Sequence, residues 1–193
     1  MASNDTRELI LDTMQDLIQS RGFSAVSYQD ISDRLGIRKA SIHYHFPSKF
    51  DLGKAVIERY RSRLAELMAK AAGESGWSHW EVLSSYFAPW IQVADSPDKV
   101  CLCGALAGEF MSLPDPMREE VSAFFRHHEE WLEKLLESAR EAGEFNFSGP
   151  VKPMALMVLS SLQGGLLLKR SEKNPELLTD IIVVIKSMLQ LRP

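Results

Sequence analysis

Residues 27–52 read SYQDISDRLGIRKASIHYHFPSKFDL. The stretch divides into two short helices joined by a turn, followed by the opening of a longer helix. Ser27 is placed to cap the first helix, and Asp30 three residues on completes something close to a capping box. Ile31 and Leu35, four apart, give that helix one apolar stripe. Gly36 supplies the turn, where a side chain would be penalised for a positive φ. The second helix opens at about Arg38, with Ile42 and Phe46 on its buried face. Its other face carries Arg38, Lys39, Ser41, His43, Tyr44 and His45, all hydrogen-bond donors or flat rings. This spacing predicts a helix-turn-helix whose second helix lies in a DNA groove.

Charge points the same way. Between Arg34 and Phe50 there are four cations, Arg34, Arg38, Lys39 and Lys49, and no carboxylate. The whole chain is acidic, with a formal net charge of −4 over 193 residues. Positive charge concentrated on one element of an acidic chain predicts a local phosphate-facing patch. Ser27 and Lys49 are the candidates to anchor backbone phosphates, one at a helix N-terminus and one by charge.

On these residues, 8–52 resemble the DNA-binding domain of the TetR (tetracycline repressor) family of transcriptional regulators. The matching features are the opening helix, Gly22-Phe23, Ser27-x-x-Asp30-Ile31, Leu35-Gly36-Ile37, and the run from Ile42 to Lys49. Ala40 stands where the family often has Gly, and His43 where it usually has Tyr. Both positions face the nucleic acid in the family and bear on which operator is read. The resemblance implies a helix-turn-helix domain over 1–49 and a helical ligand-binding and dimerisation domain over 50–193. It also implies a homodimer, bound to double-stranded operator DNA and released from it by a small-molecule effector.

The rest of the chain reads as helix throughout, so the fold class is all-α. The first helix runs from about Asn4 to Arg21, with Ile10, Met14, Leu17 and Ile18 on one stripe, and Gly22 ends it. After Pro47, Ser48 caps a long helix to about Ala72. Trp77 to Val93 forms another, with Pro89 inside as an expected kink. Ser96-Pro97-Asp98 reads as a helix start with Pro at the first position, that helix running to about Ser112. Asp115-Pro116 starts a helix that Gly143 stops. Pro153 to Lys169 is almost wholly apolar, and Asn174-Pro175 starts the last helix. No run approaches the ~18–20 apolar residues of a membrane span. The polar N-terminus is no signal peptide, and two cysteines make no disulfide framework, so a reducing cytoplasm is the expected setting.

Leu178, Ile181, Ile182, Ile185, Met188 and Leu189 give the last helix a wide apolar face, more than a small body easily covers. Gly164 and Gly165 in the preceding helix would let a neighbouring backbone approach. Both features fit either a core helix pair or a four-helix dimer interface built from two copies of the last two helices, and the resemblance to the TetR family favours the interface. In the middle, Trp80, Phe87, Trp90, Phe110, Met111, Phe124, Phe125, Trp131, Met154 and Met157 are either plain core or the lining of an effector pocket.

No metal or cofactor is expected. His43 and His45, two apart on a helix, point about 200° from each other. His127 and His128 lack the i, i+4 spacing of a zinc helix. The sequence has no nucleophile elbow, P-loop or dinucleotide fingerprint, so an enzyme is not expected. Cys101 and Cys103 are either two small buried hydrophobes or sensing thiols. The segment Cys101-Leu102-x-Gly104 through Leu113-Pro114 is similar to a subgroup of aldehyde- and electrophile-responsive repressors. Lys99, four before Cys103, points locally to Cys103, while the resemblance points to Cys101. The expected function is a homodimeric, ligand-released repressor. The alternative is a helical protein–protein interaction module whose basic helix binds an acidic partner.

Overall fold

The structure, a computed structural model, describes residues 2–190. Every regular element among them is helical. In chain order they are α1 (Ala2–Arg21), α2 (Tyr28–Leu35), α3 (Lys39–His45), α4 (Lys49–Gly73), α5 (His79–Ala94), α6 (Leu102–Gly108), a 3-10 turn at Phe110–Ser112, α7 (Asp115–Glu141), α8 (Val151–Glu172) and α9 (Leu177–Gln190). The all-α expectation holds, with the helix-turn-helix at α2 and α3.

Local chemistry fixes most boundaries. Ser27 caps α2 through a reciprocal box with Asp30, and Gly36 ends that helix in the left-handed region at φ 65°. Ser48 does the same for α4: its Oγ accepts from Asp51 N at 3.1 Å while its own N–H donates to Asp51 Oδ2 at 3.0 Å. Ser78 and Glu81 form a third box at α5.

One predicted boundary is wrong. No helix starts at Ser96; α6 begins only at Leu102 and covers seven residues. The cause is Lys169, buried on α8, whose Nζ donates to the carbonyls of Ser96, Pro97 and Lys99. A helix would need those oxygens for its own i→i+4 bonds. The membrane reading also needs correction. Among the described residues α8 is long and apolar enough to cross a bilayer by length and composition, with mean hydropathy 1.4. Its apolar character is spent on one inward stripe through Val151, Ala155, Val158, Leu162, Leu166 and Lys169, and on an outward one described below.

The chain forms two compact units that interleave in sequence: residues 1–63 with 102–124, and residues 64–101 with 125–193. In the first unit Ile10, Met14, Leu17 and Ile18 of α1, as predicted, are buried with Ile31, Ile42 and Phe46. Gly53 of α4 allows a close contact there. A Cβ on it would lie 2.7 Å from both Met117 Cε and Phe23 Cε2. Arg59 ties α4 to α1, with Nη1 2.9 Å from Glu8 Oε2 and Nη2 2.8 Å from Asp12 Oδ1.

In the second unit α8 and α9 pack on each other and on α5. Gly165 is the contact point, where a Cβ would meet Leu178 Cδ1 and Ile181 Cδ1 at 2.9 Å. Gly164 faces open space. Leu178, Ile182, Ile185 and Leu189 follow one another at helical spacing and are buried inside the chain. The apolar face predicted for pairing is therefore largely internal. The outward apolar residues of α9 are Val183 and Val184, 60% and 57% exposed.

Candidate nucleic-acid interface

The reading helix is anchored by two residues. Ile42 is fully buried and Phe46 is 4% exposed, which fixes the rotation of α3 about its axis. Arg38, Lys39, Ala40, His43 and Tyr44 then face outward, while Ser41 and His45 are half-buried. Tyr44 is 81% exposed, costly for an aromatic ring that has nothing to bind. His43 is braced rather than loose: its Nδ1 sits 3.2 Å from Pro47 O and its ring packs edge-on against Tyr28 at 4.7 Å. Tyr28 in turn donates to Phe46 O at 2.9 Å, and burial, with Asp51 adding, pushes its hydroxyl up to about 12. The sequence set thus divides into an exposed group (Arg38, Lys39, His43, Tyr44) and a flanking pair (Ser41, His45).

The two predicted phosphate anchors also hold the protein itself together. Ser27 bonds Asp30 through both its N–H and its hydroxyl. Lys49 Nζ lies over the Phe23 ring at 4.4 Å and 3.4 Å from Ser24 O. Burial lowers its pKa, and Glu109 and Asp30 oppose that shift.

Glu109, which follows α6, is the functional residue that sequence reasoning missed. Its Oε1 accepts from Phe23 N at 2.7 Å, and its Oε2 accepts from Ser24 N at 2.8 Å and from the Ser24 hydroxyl. One carboxylate thus clamps the turn between α1 and α2. Gly22, at φ 86°, is required beneath it, since a Cβ there would lie 2.3 Å from Glu109 Oε1. The bonds span 85 and 86 positions, and no local signal in the sequence marks them.

This geometry, a three-helix head presenting one exposed basic and aromatic helix, can be set against known proteins. Residues 10–56 match the model of the bacterial regulatory proteins of the tetR family, and residues 81–184 match the tetracyclin repressor-like C-terminal domain. The chain belongs to the TetR family. The crystal structure of a TetR transcriptional regulator from Legionella pneumophila is 34% identical, with 95% of this chain and 97% of that one covered at a TM-score of 0.85. The HTH-type transcriptional repressor DhaR of Mycobacterium sp. (strain GP1) is 25% identical over 185 residues, 96% of this chain and 92% of DhaR. The HTH-type transcriptional repressor NemR of Escherichia coli (strain K12) is 24% identical, covering 96% and 94%. As a TetR-family member the chain is a DNA-binding transcriptional regulator and not an enzyme.

The residues expected to sense an effector are placed as follows. Cys101 and Cys103 are 2% and 0% exposed and are not disulfide-bonded. Cys101 ends the segment 64–101 of the second unit, and Cys103 lies in the first turn of α6 in the first unit. Lys99 precedes α6, so the shared helical face expected for Lys99 and Cys103 does not form. The aromatic and sulfur set also divides: Phe110, Met111 and Phe124 belong to the first unit and the others to the second. Met111 is 83% exposed, whereas Phe87, Trp90 and Phe124 are buried.

The second unit holds a buried polar relay that the sequence did not reveal. Tyr86 Oη is 3.0 Å from His128 Nδ1, both residues being buried, and the Trp90 ring lies beside Tyr86 with centroids 6.2 Å apart. Because the imidazole is neutral, its Nδ1 can accept the Tyr86 proton with the ring hydrogen on Nε2. Burial, with His127 adding, lowers the His128 pKa to about 3. Burial pushes the Tyr86 hydroxyl well above its ordinary value, with the Cys101 thiol adding to the effect. The Tyr86 ring is stacked on Trp131 at 5.1 Å. At the start of α5, His79 Nδ1 lies 2.6 Å from Glu144 Oε1, and Glu144 Oε2 accepts from His79 N at 2.9 Å.

Proposed function

We propose that this chain is a homodimeric transcriptional repressor, released from its operator by a small-molecule effector and working in the cytoplasm. The reading role falls to residues 1–49, and the sensing and pairing roles to 50–193. One observation carries the DNA-reading part: α3 is pinned by Ile42 and Phe46 so that Arg38, Lys39, His43 and Tyr44 point outward together. Ser41 and His45 flank them, and Ser27 and Lys49 approach the phosphates. DhaR and NemR, its relatives, are both repressors.

Pairing is supported by an outward apolar stripe. On α8 Leu156, Leu167 and Leu168 are 40%, 45% and 49% exposed, and Gly164 between them meets nothing within 4 Å. Val183 and Val184 of α9 add to it. A second copy laid on this stripe would bury it and let two backbones meet at Gly164. Two heads on two half-sites would also give the affinity that one short helix lacks.

The effector reading rests on Cys101, a buried thiol in the unit that holds the Tyr86 relay. A thiol-reactive electrophile such as an unsaturated aldehyde or quinone would add to the sulfur and wedge the surrounding packing apart. A gel shift on DNA flanking the chain's own gene, against competitor DNA and across a salt series, tests the whole scheme. Specific binding that an electrophile abolishes in wild type and Cys103→Ser, but not in Cys101→Ser, is the expected result. Equal binding to operator and random DNA would overturn the reading role. An unchanged electrophile response in the double serine variant would overturn the thiol role.

A further inference from the structure

Between the C-terminal part of α4 and α5, within the second unit, lies an open cleft of about 360 Å³. Its walls are Leu67, Ala71, Trp77, Ala88 and Pro89, with Lys70 and Glu74 along the lining. The volume falls at the small end of the range for ligand sites, ~300–1,000 Å³. A recess of about 10 Å³ shares Leu67, Ser85 and Pro89 with the cleft and runs on to Leu64, Met68, Trp90, Tyr86 and His128. A recess of that size has room for one oxygen-sized group.

The end of the recess decides what could enter. It presents the hydrogen-bonded Tyr86–His128 pair beside Trp90 and no charged side chain. Tyr86 and His128 are 3% and 2% exposed, so an ionised head would lose its hydration with no opposite charge to replace it. A neutral hydroxyl would donate a hydrogen bond to the Tyr86 oxygen, whose own proton goes to His128. The Tyr86 ring cannot swing away, because Trp131 stacks on one side of it and Trp90 lies 6.2 Å off. Apolar walls with one fixed polar point favour an apolar body carrying a single polar head.

We infer that the cleft and recess together form the effector site, and that it takes a small, neutral, apolar molecule whose single hydroxyl head, such as a phenol, donates a hydrogen bond to the Tyr86 oxygen. This rests on the reading of the chain as a ligand-released regulator, and it specifies the ligand class for that role. Entry is from solvent past Trp77 and Ala88, with no opening of the core. His128 is a positioning residue: by accepting from Tyr86 it fixes where the hydroxyl points.

The test uses 1-naphthol, naphthalene and 1-naphthoate as probes in equilibrium dialysis against the full chain at neutral pH. Wild type should bind 1-naphthol about tenfold more tightly than naphthalene, the scale of one added hydrogen bond, and should reject the anion. Tyr86→Phe should abolish that preference and leave naphthalene binding unchanged. Ala88→Trp, at an exposed position that leaves the relay untouched, should remove binding of both neutral probes and guards against a Tyr86 variant that misfolds. No binding in wild type, a preference retained in Tyr86→Phe, or binding retained in Ala88→Trp would each refute the site. The operator gel shift separates this from the broader reading. Probe binding as described with no releasing compound found leaves the site standing and sinks effector release. A releasing compound whose action survives Ala88→Trp does the opposite.

Discussion

Replacing Glu109 by alanine is the sharpest probe of the DNA-binding head. The side chain makes three hydrogen bonds to residues 23 and 24, two of them from backbone N–H groups at 2.7 and 2.8 Å. Bonds to a charged acceptor contribute ~1.5–3 kcal/mol each when shielded. Only the Phe23 bond is partly buried and those at Ser24 are exposed, so the loss should total about 2 kcal/mol after screening. For a chain of this length that corresponds to a drop of about 4–8 °C in the unfolding midpoint. The effect should be local first. Amide exchange at Phe23 and Ser24 should speed up before the α4 core opens, and operator affinity should fall as the α1–α2 turn loosens. Gly22→Ala offers a cross-check. Alone it suffers both the positive φ and a 2.3 Å clash with Glu109 Oε1. Combined with Glu109→Ala it keeps the φ penalty, about 1 kcal/mol, but loses the clash. The double variant should therefore be less destabilised than the two single losses added together. A Glu109→Ala protein that unfolds like wild type, with unchanged exchange at Phe23 and Ser24, would falsify the clamp.

Four further outcomes are expected. Gly53→Ala forces a methyl group against Met117 and Phe23 at 2.7 Å and should cost ~1–3 kcal/mol by overpacking, read from denaturant unfolding. His128 is held neutral in the folded chain with a pKa of about 3 against 6.5. The unfolded chain binds more protons between those values, so this contribution is complete above pH 6.5 and declines by up to ~1.4 kcal/mol per unit as pH falls toward 3; His128→Phe should flatten that part of the stability profile. Val184→Asp, on the exposed stripe, should give folded monomers by analytical ultracentrifugation, whereas Ile182→Asp, only 5% exposed within the chain, should fail to fold. Lys39→Ala and Tyr44→Ala should change which operator is preferred, whereas Lys49→Ala should weaken binding to all DNA alike and lower the salt slope by about one unit, both read from competition gel shifts.

The sequence carried the head because its signals are local. Ser27 with Asp30, Ser48 with Asp51, Gly36 after Leu35, and the pair Ile42 and Phe46 all lie within four residues of one another. Helical spacing alone orients them. The missed features are those where a side chain from a distant segment completes a backbone group. Ser96-Pro97-Asp98 has a good helix start by composition, yet Lys169, some 70 positions on, takes the carbonyls that the helix would use. Glu109 caps a turn 85 positions before it. The error on α9 was one of rotation. Ile182 and Val183 are both apolar, so periodicity shows that the helix has a broad apolar surface but not which part faces α8. Gly165 settles it by admitting Leu178 and Ile181 on one side only. The Tyr86–His128 relay spans 42 positions and carries no motif that could have flagged it.

Lys169 and Glu109 stand in a physical relation that neither shows alone. Each is a charged side chain whose partners are backbone groups, and each holds an irregular piece of chain. Within the second unit, Lys169 gathers the carbonyls of residues 96, 97 and 99. Within the first, Glu109 gathers the amides of residues 23 and 24. The chain passes from the second unit to the first between Cys101 and Leu102, so the segment that joins these two tethers contains both cysteines and the whole of α6. Such a segment has little slack. Cys101 is 2% exposed, and a close-packed interior cannot absorb an added group without moving something. Lys169 resists movement on the N-terminal side, where three carbonyls would have to be released together. On the C-terminal side only a half-exposed carboxylate holds, and its partners are the residues that set the entry to α2.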